Sequence, residues 1–304
     1  MISLLLIIVA ALFFPGIVAI LKAKIGGHKL PHILQPVFDV IRLFKKGSIY
    51  STTTGIIFKL APPVYFATVL MAMLFIPFAN KPGLLSFQGD FVFFAYLLAL
   101  GKFMLIIGAM DTGSGFEGMG ANREALYSML VEPAFFIVLG SMALFTGNTS
   151  FSELYQSFWF HNHLSFAIGI AAIYVFIYIT MVENSRMPVD DPRTHLELTM
   201  VHEVMILDNS GFDLALMHIS SWLKFAIYGG LISNFLVQSH WSFYIQLTVF
   251  LATQVTFAVV VGLLESFKAR NKMEKNPQWI ITLSAIAVVI FLTALIITQK
   301  IILN

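Results

Sequence analysis

Three ionisable residues, Lys102, Glu132 and Lys224, sit deep inside long apolar runs of the sequence. In a bilayer each would cost about 2.5–3.5 kcal/mol on insertion scales, so each needs a partner or a purpose. Buried carboxyl and amine groups titrate closer to neutrality than exposed ones, and a chain of them can pass protons. Pro133 follows Glu132 directly and frees a backbone carbonyl near its carboxyl group. Asp111, Arg123 and Glu124 precede it, with Glu124 eight residues before Glu132, about 80° around a helix. Lys59, Glu183 and Glu265 lie close to the ends of apolar runs. There the plainer reading is a snorkelling or salt-bridged group at an interface. The chemistry on offer is proton transfer.

Composition says what must hold these groups. Of 304 residues 58% are hydrophobic and only 11% charged, where a soluble domain carries about a quarter charged. The formal net charge of +2 gives no sign of a nucleic-acid partner. The absence of cysteine excludes Cys-held Fe–S clusters, c-type haem attachment, disulfides and thiol catalysis on this chain. His195 and His202 stand seven apart in an acid-rich stretch, but no H-E-x-x-H or comparable set accompanies them. No metal site is expected.

A crossing helix needs about 20 apolar residues. Candidate spans are 2–21, 56–78, 91–110, 125–146, 164–183, 214–237, 243–264 and 279–301. The fold class is therefore all-α, a polytopic membrane protein of about eight transmembrane helices in one bundle domain covering 1–304. Residues 2–21 lack the basic leader and the A-x-A site of a secretory signal and read as a retained helix. Loops 22–55, 111–124, 184–213 and 265–278 hold thirteen of the eighteen Lys and Arg, against two for the opposite side. The positive-inside rule then puts these loops in the cytoplasm and both termini outside. Segment 32–46 is too short to cross. Its Ile33, Val37, Ile41 and Phe44 share one helical face, so it reads as an amphipathic helix lying in the interface.

Four segments carry a family resemblance. ILQPVFDVIRLFKK at 33–46 is similar to a Q-P-x-x-D-x-x-K-L helix, with Gln35, Pro36, Asp39 and Arg42 in matching places. MDTGSGFEGMGANREALYSMLVEP at 110–133 resembles a D-T-G-S-x-F-x-x-x-G-A-x-R-E run ending in V-E-P. ENSRMPVDD at 183–191 is similar to E-x-N-R-x-P-F-D, and ESFKAR at 265–270 to E-N-x-x-A-R. Together they resemble the subunit-1 family shared by respiratory complex I and the group 4 membrane-bound NiFe hydrogenases. The nearer branch is that of hydrogenase-4 component C and the formate hydrogenlyase membrane subunit.

The resemblance implies eight transmembrane helices in a prokaryotic cytoplasmic membrane. It implies a non-catalytic subunit between hydrophilic large and small redox subunits on the cytoplasmic face and antiporter-like membrane subunits. Fe–S and NiFe centres are expected on those partners and no cofactor on this chain, with a quinone-linked, complex I-like partner as the alternative. Glu132, Lys224, Lys102, Glu265, Glu183, Asp111 and Glu124 are the expected proton-handling groups. Gln35, Asp39, Arg42, Arg123, Arg186, Asp190, Glu197 and Glu203 are the expected docking or interface residues. One stretch departs from the pattern. Where complex I and formate hydrogenlyase continue E-A-E-x-E-L, this chain has Arg193, His195, Glu197 and Leu198, which weighs against a complex I-type quinone chamber. A stand-alone ion transporter is disfavoured by the lack of internal repeats, and a passive anchor leaves the deep charges unexplained.

Overall fold

The computed structural model describes residues 2–79, 81–158, 163–190, 200–238 and 240–298. The helices are α1 (Ile2–Ile25), α2 (Gln35–Phe44), α3 (Ile56–Met73), α4 (Asp90–Asp111), α5 (Gly115–Thr146), α6 (Phe151–Ser157), α7 (His163–Glu183), α8 (His202–Met205), α9 (Gly211–Leu236), α10 (Phe243–Phe267) and α11 (Asn276–Ile297). Among the described residues the only β pairing is an isolated bridge between Phe78 and Lys81. The protein is all-α and membrane-embedded. Seven of its described helices, α1, α3, α4, α5, α7, α10 and α11, are long and apolar enough to cross a bilayer.

The eighth expected crossing, 214–237, falls on α9. Its 26 residues, about 39 Å at helical rise, are long enough to span. Its lower apolarity has a physical reason. Every residue from Trp222 to Phe235 is buried, so the helix meets protein on all sides and can carry Lys224, Ser233 and Asn234. α1, α3, α7 and α10 pack around it.

One connection is shorter than expected. Segment 111–124 reads as a loop in the sequence, but α5 starts at Gly115 and leaves only Thr112–Ser114 outside helix. One glycine of this stretch, Gly120, serves packing. A β-carbon at Gly120 would lie 2.8 Å from the Val201 carbonyl oxygen, so its absence lets the 201–205 segment rest on α5. Similarly, α10 continues to Phe267 and α11 begins at Asn276, which trims the expected 265–278 loop.

α2 is amphipathic. Val40 is buried, Val37 and Leu43 pack against the core, and Asp39 and Arg42 point to the outside. The chain reaches α2 by crossing α1 at Gly16, where the Ile33 carbonyl takes the place of a side chain. Pro15 lies beside this crossing. α2 then packs on α9, with Phe44 5.4 Å edge-on to Phe212.

Gly229 shows how closely α9 and α10 approach. The Gln254 amide lies where a β-carbon would be, with Cδ 2.9 Å away, while its Nε2 donates to the Ala226 carbonyl at 3.1 Å. Gly229→Ala is therefore expected to destabilise the protein by about 1–3 kcal/mol, since a packed core has no room to yield. Gly140→Ala, in open space on α5, should be neutral or stabilise by up to about 1 kcal/mol. Thermal melting in detergent checks the pair, and equal effects at both positions would contradict the packing argument.

Candidate functional site

Four helices bring four charges together in the middle of the bundle. Lys102 of α4 places Nζ 2.8 Å from Glu124 Oε1 of α5 and 3.2 Å from Glu183 Oε2 at the end of α7. Lys224 of α9 approaches the same Glu183 oxygen at 3.0 Å. Two lysines and two carboxylates leave the group formally neutral, the condition for burying charge at tolerable cost. Lys224 is fully buried and Glu124 is 2% exposed.

Glu183 is the hub, and its position follows from the segment after it. α7 stops at Glu183, level with the midpoint of α9, and residues 184–190 run inside the bundle. A buried loop must satisfy its own polar groups. Here Asn184 Nδ2 donates to the Thr180 carbonyl at 3.0 Å, Ser185 N to Val182 O at 3.0 Å and Arg186 N to Met181 O at 2.7 Å. Lys224 Nζ also donates to the Glu183 carbonyl at 3.0 Å, a cation at the negative end of α7.

Glu132 stands at the edge of this group and makes no ion pair among the described residues. It lines a cavity of about 40 Å³ together with Lys102, Glu183 and Tyr228. That volume exceeds the roughly 10–15 Å³ a water molecule requires, and the walls offer polar partners. Lys102 and Glu132 also line a recess of about 220 Å³ on the flank of α4 and α5, beside Phe103 and Met129. Toward the ends where α4 and α7 begin, rings close the cavity. Phe135 lies 6.0 Å from Phe94, 5.9 Å from Phe176 and 6.3 Å from Tyr228. The polar space thus opens sideways through Glu132.

The remaining candidates gather elsewhere. Glu265 is not part of the four-charge group. It is buried between Lys22 of α1 at 2.9 Å and Arg186 at 3.4 Å. Asp190, 1% exposed, meets Arg270 at 2.8 Å and accepts the backbone N–H groups of Val201 and His202 at 3.0 and 3.1 Å. Asp111 accepts the Phe58 N–H at 3.0 Å and so caps the start of α3. Arg123 donates to the Met200 carbonyl at 2.9 Å, tying α5 to the segment before α8. Gln35 donates to Asp39 at 3.0 Å and Arg42 lies 3.5 Å from it, all on the outer side of α2. Glu203 lies in α8, and Glu197 falls outside the described residues. Among the described residues no three His, Asp or Glu side chains gather as a metal site.

His202, largely buried at the start of α8, faces the same charges. Burial of its ring above all, opposed by Glu124 and helped by Lys224, His218 and Lys102, lowers its pKa to about 4. It is neutral at pH 7 and adds no charge to the group.

Sequence reading passed over Ser185, whose hydroxyl donates to Glu124 Oε2 at 3.0 Å, and Tyr228, which walls the cavity. It also took Lys22 and Arg270 only as loop charges. Arg270 had one signal, its place in the ESFKAR segment. Nothing local shows that Lys22 meets a carboxylate 243 residues away.

Residues 1–299 match the family described as NADH dehydrogenase. Formate hydrogenlyase subunit 4 of Escherichia coli (strain K12) is 29% identical over 199 residues, 65% of this chain and 64% of that protein. Hydrogenase-4 component C of the same organism is 30% identical over 203 residues, covering 67% and 63%. An NADH-quinone oxidoreductase subunit of Rickettsia peacockii (strain Rustic) is 24% identical over 208 residues, covering 67% and 59%. The chain thus spans a little under two thirds of the length of these curated relatives. A chain of the membrane-bound sulfane sulfur reductase, an archaeal respiratory membrane complex, has the same fold. Its TM-score is 0.80 at 20% identity, covering 96% of this chain and 98% of that one. These relatives are subunits or components of multi-subunit complexes.

Removing one partner from a buried pair leaves the other charge stranded, which costs about 3–5 kcal/mol. Lys224→Met is expected to destabilise the protein on that scale. The double variant Lys224→Met, Glu183→Gln should lose less than the two single effects added. Arg42→Ala, which breaks an exposed pair, should cost no more than about 0.5 kcal/mol. A double-mutant cycle on thermal stability measures the coupling, and strict additivity would rule out the Glu183–Lys224 interaction.

Proposed function

The chain belongs to the NADH dehydrogenase family, and from that premise we propose that it anchors and serves the membrane arm of a redox complex. In this reading it is the proton-handling subunit of an assembly of the hydrogenase-4 or formate hydrogenlyase type. It couples a cytoplasmic redox module to ion translocation. The observation that carries the proposal is the buried Glu124–Lys102–Glu183–Lys224 group with Glu132 at its lateral opening. A neutral string of alternating acids and bases beside a polar cavity can accept a proton at one end and release it at the other.

The partners follow from the charge distribution. The loops with thirteen Lys and Arg face the cytoplasm, and both termini lie outside a prokaryotic cytoplasmic membrane. Hydrophilic large and small subunits cover that face and carry the Fe–S and NiFe centres, which a chain without cysteine does not hold. Antiporter-like subunits lie along the α4–α5 flank, where Glu132 is open. Gln35, Asp39 and Arg42 on the outer side of α2 serve docking.

One feature favours a second reading, a quinone-linked partner. An apolar cavity of about 210 Å³ between α1, α2 and α9, lined by Val37, Val40, Phe44 and Trp222, fits part of an isoprenoid tail.

Glu132→Gln in the assembled complex tests the first reading. Glu132 has no ion pair, so an isosteric neutral change should leave assembly and melting within about 0.5 kcal/mol of wild type. Proton translocation per redox turnover is expected to fall at least about ten-fold, the cost of about 1.4 kcal/mol in a transfer step. Assembly, turnover and translocation all at wild-type levels would reduce Glu132 to a packing residue.

A further inference from the structure

The turn that ends α7 has the hydrogen bonds of a Schellman cap. Arg186 N donates to Met181 O at 2.7 Å and Ser185 N to Val182 O at 3.0 Å. In that motif the residue at the position of Ser185 is left-handed, and its φ is 46°. Glycine is the usual occupant, because a β-carbon crowds the backbone there. A serine at this position therefore calls for a reason in its side chain. Ser185 is 3% exposed, and its hydroxyl donates to Glu124 Oε2 at 3.0 Å. The other oxygen of that carboxylate meets Lys102 Nζ at 2.8 Å.

We infer that Ser185 is a positioning residue of the charge cluster, whose hydroxyl holds Glu124 turned toward Lys102 and keeps the relay connected. The inference rests on the proton-handling reading. Glu124 has two carboxylate oxygens and two donors, one from the α7 turn and one from α4. With the hydroxyl gone, Oε2 is left buried without a donor, and the carboxylate is free to rotate off Lys102. The left-handed backbone aims the hydroxyl across to α5. The next residue, Arg186, reaches Glu265, so the same turn joins the two charge groups.

The test compares Ser185→Gly and Ser185→Asn in the whole complex, reconstituted in proteoliposomes. Glycine suits the left-handed turn and removes only the hydroxyl. Asparagine tolerates the turn and brings an amide donor. Glu124 keeps Lys102 in both variants, and only its contact with residue 185 changes. Ser185→Gly is expected to assemble, because glycine suits the left-handed backbone even though one buried acceptor loses its donor. Its proton translocation per turnover should fall at least ten-fold at pH 7, because the carboxylate is no longer held against Lys102. Ser185→Asn should restore translocation.

A Ser185→Gly complex with wild-type translocation would overturn the inference. So would failed assembly rescued by Ser185→Asn, which makes the serine a structural tether. So too would a translocation loss that Ser185→Asn leaves in place. Glu132→Gln run alongside separates the two levels: if it is silent the proton-handling reading fails, whereas silence of Ser185→Gly alone removes only this inference.

Discussion

A charge inside a membrane bundle has to be neutralised by a neighbour, and this requirement organises the centre of the protein. Lys102 and Lys224 could not stay buried without Glu124 and Glu183 within ion-pair distance. That fixes how α4, α5, α7 and α9 stand relative to one another. It also explains why α9 differs from its neighbours. A helix that carries a buried lysine must be shielded from lipid along its length, and α9 is enclosed by α1, α3, α7 and α10.

The segment from Glu183 to Asp190 is where neutralisation is achieved. Glu183 holds two lysines, Ser185 reaches Glu124, Arg186 reaches Glu265, and Asp190 takes Arg270 and two backbone N–H groups. Three charge groups, the central cluster, the Glu265 pairs and the Asp190–Arg270 pair, therefore share one short stretch of backbone. Such a stretch is stiff, because moving any of its residues disturbs an ion pair. It also runs from the mid-bundle charges to Asp190, which holds the segment that precedes α8.

Much of this was legible in the sequence, for identifiable reasons. The long apolar runs announced eight crossings, seven of which match described helices long and apolar enough to span, and Lys102, Glu132 and Lys224 stood out because they interrupt such runs. Segment 32–46 showed its amphipathic spacing directly. Glu183 was harder to rank, since its place at the end of a run suggests an interface. Only the descent of 184–190 into the bundle brings it level with the middle of α9. Segment 111–124 lies between two apolar runs and so read as a loop, although most of it begins α5 and Gly120 packs closely against 201–205. Glu265 was grouped with the deep charges, but its partners Lys22 and Arg186 come from distant parts of the chain. Ser185 could not be singled out, because a left-handed serine looks like any other serine until the backbone is known.

The pairing has a consequence for how the chain enters the membrane. Lys102 and Glu124 lie on α4 and α5, which follow each other among the long helices, and Glu183 and Lys224 lie on α7 and α9, which do likewise. Each charged helix inserted alone would carry the full penalty of its unpaired group. Inserted as two hairpins, each pair arrives neutral, and each lysine meets a carboxylate made a short time before or after it. The contact between Lys102 and Glu183 then joins one hairpin to the other. Biogenesis and charge burial are thus served by the same order of residues, with the helix that carries the fully buried Lys224 following the acid that admits it.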